Sequence, residues 1–177
     1  GRRFESCREH HRRPGALVSD SSPLVRPPKV RPGDVVRVVA PSSPFDAAEF
    51  EAGLAVLRLW DLIPRFRPDI HERRAYLAGT PERRAEELHE AFEDTEATAI
   101  FCVRGGYGLT TVLPLLDAEC VARHPKPLIG CSDVTVLLAW LVQTVGMTAI
   151  HGPMLGALGR GDEAGQARLK HLLMEDT

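Results

Sequence analysis

The sequence lacks the hallmarks of several protein classes. Its formal net charge is only −2 over 177 residues, so composition gives no argument for binding nucleic acid or an anionic membrane surface. No run of about 18 apolar residues occurs, which predicts that the chain has no membrane span. The four cysteines include no C-x-x-C pair, so neither a zinc site nor a redox pair is expected. Unpaired thiols are typical of a reducing cytoplasm, which is the expected location.

The hydrophobic fraction of 44% suits one globular domain with its own core. Residues 1–30 are rich in arginine, histidine and proline and lack both hydrophobic periodicity and the apolar core of a signal peptide. This segment is expected to be a disordered tail. Residues 31–160 form the predicted folded domain, and residues 161–177 a terminal helix.

Short apolar runs alternate with helical patterns along the domain. This alternation predicts an α/β fold with three layers: a mostly parallel sheet with helices on both faces. The predicted strands lie near residues 35–40, 99–103, 127–131 and 147–150, with a weaker candidate at 64–67.

Two helices are predicted between the first strands. Phe50, Leu54 and Leu57 share one apolar face, and Thr80 precedes Pro81 as an N-cap precedes a first helical residue. The second helix carries a run of charges, which is expected to be solvated rather than functional. These charged residues are Glu82, Arg83, Arg84, Glu86 and Glu87.

The segment Gly130–Asp133 joins a short apolar strand to an amphipathic helix. Ser132 therefore stands where a nucleophile elbow would present a hydroxyl beside backbone N–H groups. The alternative is a plain helix cap, because serine and aspartate are preferred N-caps. The second glycine of G-x-S-x-G is absent, and the local pattern alone favours the cap. Cys131 is expected to be a small buried hydrophobe rather than a nucleophile, and so is Cys102.

A glycine-rich loop follows the strand predicted at residues 99–103. Its sequence is Arg104-Gly105-Gly106-Tyr107-Gly108, and a helical stretch is predicted from Leu109 to about Leu116. Glycines allow the backbone to approach a ligand and to offer N–H groups to an anion or a polarised carbonyl oxygen. A tight strand-to-helix turn is the alternative. The spacing does not fit the dinucleotide fingerprint G-x-G-x-x-G.

Five segments in the same order resemble the serine-type LD-carboxypeptidases, a family that also contains the microcin-immunity peptidases. The resemblance covers roughly residues 30–160. The matching segments are Val38-Val39-Ala40-Pro41-Ser42-Ser43-Pro44, Tyr76-Leu77-Ala78-Gly79-Thr80, Arg104-Gly105-Gly106-Tyr107-Gly108, Pro125-Lys126-Pro127-Leu128-Ile129-Gly130-Cys131-Ser132-Asp133-Val134-Thr135 and His151-Gly152-Pro153-Met154.

The resemblance implies a two-domain serine hydrolase that needs no metal and no organic cofactor. Its nucleophile maps onto Ser132, and its oxyanion hole onto the backbone N–H groups of Asp133 and Gly106. The family takes its catalytic glutamate and histidine from a C-terminal domain, to which residues 161–177 would connect. Candidates for substrate contact are Arg104, Gly105, Tyr107, Ser42 and His151.

The resemblance also implies a substrate, a murein peptide or a related small peptide. The family releases terminal D-alanine from murein tetrapeptides during peptidoglycan recycling, and its relatives commonly pair, so a homodimer is a candidate assembly. Open alternatives are an immunity-type hydrolase of a toxic acyl-nucleotide conjugate, a catalytically dead binding module and a subunit completed by a second chain. Of the seven histidines, only His151 has a plausible location for a base, and this chain alone is expected to be inactive.

Overall fold

The computed structural model describes residues 23–161 and 163–175. Most of the predicted disordered tail, residues 1–22, lies outside the described residues. Residues 23–30 pack against the domain: Val25 forms a parallel bridge with Met147, and Val30 is fully buried. The Val30 N–H donates to the Leu173 carbonyl at 3.0 Å. The buried Val30 side chain and backbone pairing therefore hold the part of this segment nearest to residue 31.

Five strands form one sheet in the order β2-β1-β3-β4-β5, and every neighbouring pair is parallel. The strands are β1 (Val35–Val39), β2 (Ile63–Arg65), β3 (Ala97–Cys102), β4 (Leu128–Gly130) and β5 (Ile150–His151). The weaker strand candidate is thus the edge strand β2. The last strand lies later than predicted, at residues 150–151 rather than 147–150.

Six α-helices connect or flank the described strands. They are α1 (Ala47–Leu59), α2 (Pro81–Glu93), α3 (Ala118–Arg123), α4 (Thr135–Trp140), α5 (Leu155–Leu158) and α6 (Glu163–Met174). Thr80 caps α2 as predicted, because its side-chain oxygen accepts the Arg83 N–H at 3.2 Å. In the described part of the chain, no helix is both long and apolar enough to cross a membrane.

The helix predicted from Leu109 to Leu116 is wrong in type. The segment forms two 3-10 turns, Leu109–Thr111 and Leu113–Leu115. Pro114 has no N–H to donate back along a helix, and this favours short, tighter turns. A 3-10 turn at Ser132–Val134 also precedes α4, and a π-helical turn at Leu141–Val145 follows it.

Alternate side chains of the sheet pack into two separate cores, which confirms the three-layer prediction. On one face, Val38 and Phe101 join a core with α1, α5 and α6. On the other face, Val39 and Ile100 join a core with α2, α3 and α4. The period-2 alternation of each strand thus divides its apolar side chains between the two helical layers.

The strand order reverses direction between β1 and β3. The chain passes from β1 outward to β2, then returns to build β3, β4 and β5 on the other side. In open parallel sheets, ligands bind beyond the carboxyl ends of the strands at such a reversal. The loops that follow β1, β3 and β4 share this edge, so the candidate residues of all three loops are brought together there.

Candidate active site

Ser132 lies directly beyond the end of β4 in a strained backbone conformation. Its φ is +59°, and it is one of three non-glycine residues with positive φ in the described chain. Cys131 before it is fully extended, and the 3-10 turn begins at Ser132 itself. The Ser132 side chain is exposed. Such a reversal at the end of a strand holds a hydroxyl above the sheet edge, as a nucleophile elbow does.

The helix-cap alternative is wrong. Cys131 occupies the N-cap position, and no side chain accepts a capping hydrogen bond there. The Asp133 carboxylate instead accepts the N–H of Leu109 at 3.1 Å through Oδ2. Asp133 therefore ties the elbow to the turn after β3 rather than closing its own helix.

Two glycines make room for the elbow. A Cβ on Gly105 would lie 2.9 Å from the Cβ of Ser132, closer than side chains pack. A Cβ on Gly130 would overlap the side chain of Val134. Both positions require the smallest residue because another part of the chain occupies the space that a side chain would need.

The glycine loop, residues 104–108, lies between Ser132 on one side and Ser43 on the other. The Tyr107 N–H donates to Ser43 Oγ at 3.2 Å, and the Ser43 N–H donates to the Gly105 carbonyl at 3.3 Å. Gly106 has φ +119°, and a Cβ there would overlap Ser43 Oγ. Its own N–H donates to no described residue, so it is available to a ligand.

The two serines after β1 have different environments from those that the sequence suggested. Ser42, a predicted substrate contact, is fully buried, and its Oγ has no partner among the described residues. Its neighbour Ser43, which sequence reasoning did not single out, supports the glycine loop instead. A Ser-Ser pair in the sequence does not show which of the two side chains will face the glycine loop.

The remaining predicted substrate contacts line the same edge. Arg104 is exposed and donates from Nη1 to the Pro44 carbonyl at 3.1 Å. Tyr107 is also exposed, and its ring centroid lies 5.9 Å from that of Tyr76. His151 ends β5, is exposed, and pairs in register with Gly130.

No described histidine is hydrogen-bonded to Ser132. His89 is half-buried. Its Nε2 accepts the N–H of Asp117 at 3.0 Å, and burial lowers its pKa. His71 packs its ring against Phe45 and Phe50. The Ser132 hydroxyl thus has no histidine hydrogen-bonded to it among the described residues.

The predicted solvated face of α2 is wrong for three of its charged residues. Arg84 and Glu87 are fully buried, and Arg83 is 8% exposed. Glu87 Oε2 accepts the Ala40 N–H at 2.9 Å and pairs with Arg83 Nη1 at 2.8 Å. Burial raises the pKa of Glu87 to about 6, against the opposing effect of Arg83. Arg83 and Glu87 pair along α2, but their further partners, Asp69 and Ala40, lie on other segments, which local sequence does not show.

Arg84 differs from Arg83 because its partners are neutral. Its Nη1 donates to the carbonyls of Pro41, at 2.9 Å, and Gly108, at 3.0 Å. Its Nη2 donates to Thr111 Oγ1 at 3.3 Å. A single side chain therefore links the loops that follow β1 and β3.

The two thiols near the site, Cys102 and Cys131, differ in burial. Cys102 is fully buried, as predicted, and burial raises its pKa well above the usual range of a thiol. Cys131 is half-buried rather than fully buried, because it lies just beyond the end of β4. Within the described ranges, no group of three or more histidine, cysteine, aspartate or glutamate residues is placed to hold a metal ion.

Comparison with known proteins gives a consistent family. The family model described as the LD-carboxypeptidase N-terminal domain matches residues 36–152. A putative carboxypeptidase of Streptomyces coelicolor is 43% identical over 139 residues, which are 76% of this chain and 45% of that protein. The murein tetrapeptide carboxypeptidase of Pseudomonas aeruginosa is 42% identical over 125 residues, 70% of this chain and 40% of that protein.

A solved structure shares the fold. The microcin C7 self-immunity protein MccF in complex with aspartyl sulfamoyl adenosine superposes with a TM-score of 0.82 at 25% identity. The match covers 88% of this chain and 48% of that protein. The chain therefore spans less than half the length of each of these three proteins.

Proposed function

Because this chain belongs to the LD-carboxypeptidase family through its N-terminal domain, we propose that it is the nucleophile-bearing part of a serine carboxypeptidase acting on murein peptides. The proposed reaction hydrolyses the bond between an L- and a D-centre and releases terminal D-alanine from a murein tetrapeptide. The observation that carries the proposal is the exposed Ser132, held at φ +59° directly beyond β4.

The proposed chemistry begins with attack of Ser132 Oγ on the scissile carbonyl carbon while a base takes its proton. The carbonyl oxygen becomes an oxyanion, which the N–H groups of Gly106 and Asp133 stabilise. The C–N bond then breaks, and D-alanine leaves with a proton returned by the base. Water hydrolyses the acyl-enzyme and regenerates the hydroxyl. The glutamate and histidine of the triad come from the C-terminal half that the family resemblance implies, in the same polypeptide.

Ser132→Ala in the natural full-length polypeptide tests this proposal. The measurement is D-alanine release from murein tetrapeptide. The matched control is Thr135→Ala, which removes an exposed hydroxyl at the start of α4. Loss of a catalytic serine reduces turnover by roughly 10⁶-fold, whereas the control keeps its turnover. Substantial turnover by Ser132→Ala rules out Ser132 as the nucleophile.

The second candidate is an immunity-type hydrolase of an acyl-nucleotide conjugate, favoured by the shared fold of a protein bound to aspartyl sulfamoyl adenosine. Hydrolysis of that compound, measured as release of aspartate, is compared with D-alanine release from murein tetrapeptide: the true substrate has the higher kcat/KM. Binding of a murein peptide without turnover by the wild type, and with equal affinity in Ser132→Ala, identifies a dead binding module instead.

We place the protein in the cytoplasm, in agreement with Cys102 and Cys131, which form no disulfide in the described chain. The proposed assembly is a homodimer. Light scattering on the full-length polypeptide tests it, and a monomeric mass excludes it.

A further inference from the structure

We infer that Arg84 is a positioning residue that holds the glycine loop in the conformation needed to stabilise an oxyanion. The inference rests on the proposed function, in which the Gly106 N–H is one of the oxyanion donors. Arg84, a residue of α2, thus affects catalysis without contacting the nucleophile.

The contacts of Arg84 join the two loops at the strand-order reversal. One nitrogen, Nη1, donates to the Pro41 carbonyl after β1 and to the Gly108 carbonyl at the end of the glycine loop. Nε donates to the Thr80 carbonyl at the start of α2, at 3.3 Å. The end of the glycine loop is therefore fixed to both α2 and the loop after β1.

The charge of Arg84 is unusual for a fully buried group. Two other largely buried arginines, Arg37 and Arg83, form ion pairs with carboxylates. No carboxylate in the described part of the chain lies within ion-pair distance of Arg84. Burial lowers its pKa, and the negative charge of Asp133 opposes that effect. A buried charge without an ion-pair partner is costly, and a role in positioning the glycine loop accounts for an arginine at this position.

Arg84 completes a set of three restraints on the loop. Ser43 Oγ accepts the Tyr107 N–H, Asp133 Oδ2 accepts the Leu109 N–H, and Arg84 binds the Gly108 carbonyl between them. Preorganised donors stabilise a developing oxyanion because they need no rearrangement during the reaction. Loss of Arg84 releases the carbonyl restraint, and the positive charge beside the loop disappears with it.

The test compares Arg84→Met and Arg84→Lys with Arg37→Met in the full-length polypeptide. Arg37 is a matched control because it is a largely buried arginine bonded to Asp94, away from the glycine loop. Small displacements of catalytic groups cost about 10²-fold in rate, so Arg84→Met is expected to lower kcat about 100-fold with little change in KM. Arg84→Lys keeps the charge and recovers part of the loss. Arg37→Met lowers the melting temperature but not kcat.

Amide hydrogen exchange gives a readout that needs no substrate. Exchange at Tyr107 and Leu109 is expected to be faster in Arg84→Met than in Arg37→Met; if Arg84→Met does not fold, Arg84→Lys replaces it. Equal kcat losses in Arg84→Met and Arg37→Met, or unchanged exchange in the loop, overturn the inference. A wild type that binds murein tetrapeptide but releases no D-alanine contradicts the proposed function instead, and loop exchange then decides whether Arg84 restrains the loop.

Discussion

At the scale of single residues, Ser132 and Glu87 each have an environment that opposes their preferred state. Ser132 has φ +59°, a left-handed conformation that costs an L-residue about 1–2 kcal/mol. Glycine adopts the same conformation without that cost. A serine kept in this conformation exchanges stability for the placement of a hydroxyl.

Replacing Ser132 by glycine is therefore expected to stabilise the fold relative to Ser132→Ala. The expected gain in the free energy of unfolding is up to about 1 kcal/mol, because relief of the left-handed strain outweighs the flexibility that glycine adds to the unfolded chain. Urea denaturation of both variants measures it. At Thr135, which has φ −56°, the order reverses and glycine is the less stable variant. Equal free energies of unfolding for Ser132→Gly and Ser132→Ala contradict the interpretation that the backbone at Ser132 is strained.

Glu87 is a buried carboxyl whose pKa is raised from 4.5 to about 6, chiefly by burial. The folded state therefore binds a proton more tightly than the unfolded state does. Its contribution to stability is fully present below pH 4.5 and is lost as the pH rises through 6. A shift of this size corresponds to about 2 kcal/mol.

We expect this pH dependence to disappear in Glu87→Gln. The difference in the free energy of unfolding between wild type and variant should fall by about 2 kcal/mol from pH 4.5 to pH 7. Urea denaturation at several pH values measures this difference. Glu86→Gln, on the exposed part of the same helix, is the control. A wild-type advantage that grows with pH contradicts the raised pKa.

At the scale of elements, the sequence predicts most of what depends on local pattern. Strands β1, β3 and β4 coincide with apolar runs, and Thr80 and Pro81 mark the start of α2. The buried state of Arg84 and Glu87 could not be predicted, because several of their partners are backbone groups on other segments, at Pro41, Gly108 and Ala40. Only the assembled sheet brings those groups beside α2.

Local sequence pattern also could not identify the elbow at Ser132. Serine and aspartate after an apolar strand fit a helix cap as well as an elbow. The positive φ of Ser132 and the bond from the Leu109 N–H to Asp133 distinguish the two. Family resemblance pointed to the elbow because it drew on several segments at once.

Helices α1 and α5 pack so closely that Gly53 cannot carry a side chain. A Cβ on Gly53 would overlap the carbonyl oxygen of Leu155. Gly53→Ala is expected to destabilise the fold by about 1–3 kcal/mol, measured by thermal unfolding. Gly152→Ala is the control, since its Cβ would lie 3.5 Å from the nearest atom, an ordinary contact. Equal melting temperatures for the two variants contradict this close packing.

At the scale of the whole molecule, the described chain supplies a hydroxyl and backbone donors but no base hydrogen-bonded to Ser132. The related proteins are more than twice as long as the matched region. Under the proposed function, the glutamate and histidine of the triad are therefore expected to come from further chain.

We expect the 177-residue chain by itself to release no D-alanine and the natural polypeptide to do so. Mass spectrometry of the natural polypeptide should give an intact mass above 19.4 kDa. Turnover by the 177-residue chain contradicts the expectation that the base comes from further chain. His151 is then the base to test, with the substitution His151→Gln. The Ser132→Ala form of the natural polypeptide serves as the inactive control.

The bond between Val30 and Leu173 has a consequence for how the protein is made. Val30, Leu169 and Leu173 belong to one core, although they come from opposite ends of the described chain. A ribosome that adds about 5–20 residues each second therefore finishes β1 long before α6 emerges to cover it. Helices α1 and α5 of the same core are made earlier, so until then only the apolar surface that α6 covers stays exposed on the nascent chain, where chaperones can bind it.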